Sequence, residues 1–84
     1  MTNEMIEKFI DTKVKGIAPV NIHFKQRNTV KGLFIKGNDY NELKSKNFWR
    51  IVSDTNAAEW KRTGDTNLAR IFNGAEFTRL SENN

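Results

Sequence analysis

The sequence contains no cysteine and a single histidine, His23. The missing thiols exclude a disulfide framework, a thiolate metal site and a cysteine nucleophile. One imidazole without cysteine partners cannot supply the Cys/His ligand set of a zinc site. No apolar run approaches the ~20 residues of a membrane-spanning helix, and the N-terminus lacks the apolar core of a signal peptide. We therefore expect a cytoplasmic protein that binds no metal.

Residue patterns typical of catalysis are also missing. The chain has no serine, histidine and aspartate in a recognisable triad order and no glycine-rich loop that would cradle a phosphate. No pair of carboxylates has a basis for the separated pKa values of an acid and base pair, and Asp39, Glu42, Asp54, Glu59 and Asp65 all lie in loop-like stretches. We therefore predict that the protein is not an enzyme and needs no cofactor.

The charges that are present favour an anionic partner. The 14 Lys and Arg residues outnumber the 10 Asp and Glu residues, which gives a formal net charge of +4 over 84 residues. Such an excess attracts phosphates and is typical of nucleic-acid-binding domains, although ordinary surface lysines produce it equally well. A chain this short also buries only a modest core, so we expect association with further copies.

The apolar pattern predicts one domain, residues 1–84, with one helix followed by five strands. Met5, Ile6, Phe9 and Ile10 recur at helical spacing, whereas the later apolar residues alternate with polar ones. We interpret "YNELKSK" as a polar connection of about one helical turn and "TNAAEWKRTGD" as a loop or ragged hairpin arm anchored by Trp60. The predicted helix covers about residues 3–15, and the predicted strands cover about residues 19–25, 29–36, 47–53, 66–72 and 76–80.

The connection between the last two predicted strands constrains the architecture. Only Asn73, Gly74 and Ala75 separate them, and this pair of Asn and Gly is typical of a sharp turn. Five short strands bury their apolar residues best as a strongly bent sheet with the helix over an open end. The fold class predicted is therefore mainly β, a small five-stranded, strongly bent open barrel with an N-terminal helix.

These residues resemble the Sm and Sm-like proteins, a family that includes bacterial Hfq. The alternating strands around Val20 and Val30, with Gly32 inside the second strand, are similar to the first motif of the family. The second motif of the family has counterparts in the same register at Phe72, Asn73, Gly74, Phe77 and Leu80. Asn73 stands where the family usually has Arg. Asp39 and Asn41 stand closer together than the loop Asp and Asn of the family do.

The resemblance implies a homo-oligomeric ring that binds single-stranded RNA, closed by pairing the fourth strand of one copy with the fifth of the next. Tyr40 would stack a base, Asn41 and Asn73 would read base edges, and the N–H of Gly74 would donate a hydrogen bond. The lysines implied to meet phosphates are Lys36, Lys44 and Lys46.

Several residues also have a simpler interpretation. Tyr40 and Asn41 are equally typical of a turn that follows Asp39. Trp49 and Trp60 belong to the core more readily than to a nucleic-acid platform. The competing function is a small-barrel protein-interaction or scaffold module without RNA binding, since a fold alone does not decide function.

Overall fold

The computed structural model describes residues 1–13 and 18–82. Residues 14 and 15, which the sequence-based prediction included in the helix, lie outside the described residues. Two single-turn 3₁₀ helices, Thr66–Leu68 and Gly74–Glu76, flank the fourth strand. The remaining elements are α1 Asn3–Lys13, β1 Val20–Phe24, β2 Val30–Phe34, α2 Tyr40–Ser45, β3 Phe48–Ser53, α3 Asp54–Thr63, β4 Ala69–Asn73 and β5 Phe77–Glu82.

All five strands form one antiparallel sheet in the order β4-β3-β2-β1-β5. The strands predicted from sequence are thus confirmed, with ends that differ by a few residues. Gly32 in β2 is buried, and a Cβ there would lie 2.7 Å from Cγ2 of Ile51. This close approach of neighbouring strands explains a glycine inside β2.

The sheet is strongly curved. In a flat sheet the outer strands β4 and β5 would lie about 19 Å apart, since neighbouring strands are ~4.8 Å apart. The three residues Gly74–Glu76 that join them span only about 6 Å as a 3₁₀ helix. The rings of Phe24 in β1 and Phe72 in β4 lie 5.8 Å apart, although two strands separate them in the sheet. Because β4 and β5 form no ladder in the described part of the chain, the sheet is open along this seam rather than a closed barrel.

The concave face of the sheet encloses the larger of two apolar clusters. Trp49 and Phe77 are the largest fully buried side chains, and α1 contributes Ile6 and Ile10. Thr2 directly precedes α1, and its hydroxyl accepts a hydrogen bond from the Met5 N–H at 3.2 Å, as an N-cap residue does. Of the predicted α1 stripe, Ile6 and Ile10 are buried and Phe9 packs against the same cluster, whereas Met5 is 54% exposed and does not belong to it. The predicted core position of Trp49 is confirmed.

The second cluster lies on the convex face, where α3 packs on β2 and β3. Leu33 and Val52 are fully buried there against Ala57 of α3, with Trp60 and Ala69 at the margin. This helix corrects two predictions: residues 54–63 are not a loop or hairpin arm, and the fold is mixed helix and strand rather than mainly β. Gly64, at φ 68°, ends the helix in a left-handed conformation, with its N–H bonded to the Trp60 carbonyl at 2.7 Å.

A search of the described residues for a membrane-spanning helix finds none of sufficient length and hydrophobicity.

Candidate nucleic-acid interface

Three of the predicted site residues do meet in space. Tyr40 opens α2, and its ring lies 5.2 Å from Nζ of Lys36 and 5.3 Å from Nζ of Lys44. The ring also packs edge-on against Trp49 at 6.1 Å, which ties it to the main core. A base that stacked on Tyr40 would have to displace or share these ammonium contacts.

The Tyr40 hydroxyl is buried and has no hydrogen-bond partner among the described residues. Burial raises the pKa of Tyr40, and the nearby carboxylate of Asp11 raises it further, while the Lys44 ammonium opposes the shift. Tyr40 is therefore neutral at physiological pH and acts mainly as a packing group beneath the two lysines.

The three predicted phosphate-binding lysines already have carboxylate partners. Lys36 pairs with Asp11 at 3.6 Å, and Lys46 pairs with Glu42 at 3.7 Å. Lys44 pairs with Glu7 of α1, and this hydrogen bond raises the pKa of Lys44. The acidic residues of α1 and α2 thus offset the positive charge that the sequence assigned to RNA.

The corner between β4 and β5 uses most of its polar groups internally. The side-chain oxygen of Asn73 accepts a hydrogen bond from the Ala75 N–H at 2.9 Å and caps the 3₁₀ turn. The Gly74 N–H donates to the Asn47 carbonyl oxygen at 2.8 Å, so it is not available to a ligand. Asn73 is an exposed residue, and so is the predicted residue Asn41 on α2.

A cleft that the sequence reasoning missed lies beside β4 and is also lined by residues of β2 and β3. It has a volume of about 820 Å³, and three of its lining residues are arginines: Arg27, Arg50 and Arg70. No carboxylate lines it, and the remaining lining residues are polar or apolar, with Phe72 in one wall. An arginine-lined cleft beside an aromatic ring has the composition of a site for single-stranded nucleic acid.

The arginines of this cleft differ from the predicted lysines in their partners. Arg27 and Arg70 are exposed and make no salt bridge with any described residue. Arg50 is more buried and pairs with Asp39 at 2.5 Å. Two cations without carboxylate partners therefore face the cleft.

Arg27 is held over two aromatic rings. Its guanidinium carbon lies 5.0 Å from the centre of the Phe24 ring and 5.6 Å from that of Phe72. Such stacking orients the planar guanidinium and leaves its donors directed outward. A smaller adjoining pocket of about 260 Å³ shares Arg27 and Phe72 and extends to Asn73. In the sequence, Arg27 lies in the polar segment between the first two predicted strands, and only the tertiary structure brings it to Phe72.

Among the described residues, no three His, Cys, Asp or Glu side chains gather in a way that would hold a metal ion. In the comparisons with known proteins, no family model, curated protein or solved structure matches this chain.

Proposed function

We propose that this chain is an Sm-like RNA-binding protein that holds single-stranded RNA without catalysis. The observation that carries the proposal is the cleft along β4, in which Arg27 and Arg70 lack carboxylate partners and Phe72 forms a wall. The Sm-like part of the proposal rests on the motif resemblance, and it is supported by the N-terminal helix, the five antiparallel strands and the short β4–β5 corner.

The chemistry of the cleft suits a flexible single strand. Arginine binds phosphate through several N–H donors, and its flat guanidinium also stacks on a base. Arg27 is pre-oriented by Phe24 and Phe72, so little side-chain entropy is lost on binding. Asn73, one of the residues predicted from sequence, is exposed and lines the adjoining pocket, which Glu76 also lines.

We keep the residues predicted from sequence around α2, which are Tyr40, Asn41 and the lysines, as secondary RNA contacts in this proposal. Ion pairs close to the protein surface are weakened by water and salt, so a phosphate is able to compete with these carboxylates. The cleft is the stronger candidate because no carboxylate has to be displaced there.

The test is a fluorescence titration of labelled oligo-U and oligo-A with the whole chain at two salt concentrations. We expect the double substitution Arg27→Gln/Arg70→Gln to weaken binding at least about tenfold and to lower the salt slope by about 1.4, since each lost phosphate contact removes ~0.7 for a single strand. The matched control, Lys61→Gln/Arg62→Gln on exposed α3, removes the same charge away from the cleft.

Asn73→Asp provides a second arm of this test. The new carboxylate still caps the 3₁₀ turn through the Ala75 N–H but repels phosphate, so the substitution should weaken RNA binding without loss of stability.

Equal weakening of RNA binding by the cleft double substitution and by the control double substitution would contradict a local site. Absence of binding by the unmodified chain would reject the RNA proposal.

The second candidate function is a scaffold built from copies of this chain. It is favoured by the unpaired edge of β4, on which Ile71 is 53% exposed, and by the free edge of β5 at the other end of the sheet. Open edges of this kind pair readily with strands of other chains. Association without RNA affinity would favour this function over the first.

A further inference from the structure

The cleft beside β4 and the smaller pocket next to it differ in charge. They share Arg27, Ile71 and Phe72 in their linings. The cleft has no carboxylate among its lining residues, whereas the pocket has Glu76. Because a carboxylate repels phosphate, the two spaces suit different parts of a nucleotide chain. The cleft suits the anionic backbone, and the pocket suits a group that donates hydrogen bonds.

The Glu76 carboxylate lies on a well-anchored turn and has no cationic partner. Glu76 ends the 3₁₀ turn that the Asn73 side chain caps, and its backbone carbonyl accepts a hydrogen bond from the Lys25 N–H at 3.0 Å. Glu76 and Arg27 line the same pocket, yet neither forms a salt bridge with any described residue. A ligand that offers an acceptor to Arg27 and N–H donors to Glu76 would complement both groups.

The pocket has the size and the walls of a site for a single base. Its volume of about 260 Å³ is below the ~300–1,000 Å³ of sites for drug-sized ligands. Phe24, Ile71 and Phe72 supply apolar surface. The Arg27 guanidinium lies over both aromatic rings, and such a plane is a surface on which bases stack. One planar base fits these walls with its edge toward the polar lining residues.

We infer that this pocket selects guanine from a bound RNA strand through Glu76, an inference that rests on the RNA-binding function proposed above. An ionised carboxylate accepts hydrogen bonds through two oxygens and donates none. Guanine alone among the four bases has two neighbouring donors on its Watson–Crick edge, N1–H and N2–H, so it pairs with both oxygens. Adenine and cytosine place a ring acceptor beside their amino donor. Uracil has one N–H between two carbonyl oxygens, which the carboxylate repels.

The experiment is a fluorescence titration of the whole chain with the labelled RNA pentamers UUGUU, UUAUU, UUCUU and UUUUU at one salt concentration. We expect UUGUU to bind at least about tenfold more tightly than the other three, which is the usual discrimination from a bidentate base contact. Inosine in place of guanosine keeps N1–H but lacks the N2 amino group, so it should lose most of this advantage.

Glu76→Gln separates base recognition from simple charge. The substitution removes a negative charge, so a purely electrostatic role of Glu76 predicts tighter binding of every pentamer to the same degree. Glutamine pairs instead with adenine, through one acceptor and one donor. We therefore expect the ratio of UUGUU affinity to UUAUU affinity to fall at least about tenfold. Glu82→Gln, at the far end of β5, removes the same charge and should leave this ratio unchanged.

The outcomes distinguish this inference from the function on which it rests. Equal affinity for the four pentamers, with binding still weakened by Arg27→Gln/Arg70→Gln, would overturn guanine recognition and leave the RNA proposal standing. An unchanged affinity ratio in folded Glu76→Gln would also overturn the inference. If no pentamer binds, both the inference and the RNA proposal are rejected. The comparison of the pentamers and of inosine uses the unmodified chain and does not depend on the folding of any variant.

Discussion

Single residues decide the local geometry at the corner between β4 and β5. Asn47, with φ 61°, precedes β3 and bonds to three separate parts of the chain. Its carbonyl oxygen accepts from Gly74, its side-chain oxygen accepts from the Trp49 indole at 2.8 Å, and its amide donates to the Met1 carbonyl at 2.9 Å. Gly74 is buried against this asparagine, so the corner depends on a residue without a side chain.

We predict that Gly74→Ala lowers the free energy of unfolding by about 1–3 kcal/mol, the usual cost of overpacking. The new methyl group would lie 2.6 Å from Cδ1 of Ile6 and would also collide with the Asn47 side chain. Urea unfolding followed by tryptophan fluorescence measures the change. Gly37→Ala is the control, because its methyl group would come no closer than 3.3 Å to the atoms around it, and we expect a change within about 0.5 kcal/mol. Equal effects at both glycines would show that the Gly74 contacts do not matter.

Tyr40→Phe removes a buried hydroxyl that has no partner among the described residues. We expect the free energy of unfolding to rise by about 1 kcal/mol at neutral pH, because an unpaired buried donor no longer has to be desolvated. The raised pKa of Tyr40 means that its contribution is fully present below the ordinary tyrosine value and is lost as pH rises through the folded value.

The same substitution therefore changes the alkaline behaviour. Urea unfolding between about pH 9 and pH 11 should show a smaller loss of stability in Tyr40→Phe than in the unmodified chain. The remaining loss includes Lys44, whose pKa is also raised and whose contribution has the same sign. A clearly less stable Phe variant at neutral pH would mean that the hydroxyl has a partner after all.

At the scale of whole elements, local sequence patterns predict α1 and the five strands but not α3. The α1 stripe and the alternating strands are visible in the sequence because each buries one face against the same core. The α3 helix buries chiefly Ala57 and part of Trp60, so its apolar face is too narrow to stand out from a polar segment. Its end signals were nevertheless present, with Asp54 in the first turn, Lys61 and Arg62 in the last turn and Gly64 beyond.

Neighbouring alanines test how α3 packs. Ala57 is 9% exposed and faces Leu33 and Val52, whereas Ala58 is exposed. We predict that Ala57→Glu lowers the free energy of unfolding by about 2–3 kcal/mol, because it forces a charge toward an apolar cluster. Ala58→Glu should stay within about 0.5 kcal/mol. Chemical denaturation of both variants measures these changes. A similar loss of stability in each would contradict the placement of Ala57 on the buried face of α3.

At the scale of the whole molecule, the curved sheet brings its two edges to one seam but leaves both without a strand partner in the described chain. The arginine cleft is lined in part by β4, which also carries exposed Ile71, so the same strand is offered to RNA and to a second copy. Short, open, partly apolar edges favour association unless a charge blocks them.

We therefore predict that the unmodified chain associates as its concentration rises and that Ile71→Lys prevents it, because a lysine on an edge strand opposes pairing. Light-scattering mass across a concentration series measures this. Ala58→Lys adds the same charge on exposed α3 and should leave association unchanged. A monomer at every concentration would reject assembly through the strand edges.

The sequence by itself determined α1, the five strands and the sharp corner at Asn73 and Gly74, because these follow from periodicity and turn chemistry within a few residues. The resemblance seen in the sequence also assigned Lys36, Tyr40 and Lys44 to one candidate RNA-binding site. Only the tertiary structure decided that acidic residues of α1 pair with two of these lysines, and that curvature carries Phe72 to Arg27. Those contacts join residues far apart in the chain. Whether a cation keeps its charge available for a ligand therefore depends on neighbours that no local pattern specifies.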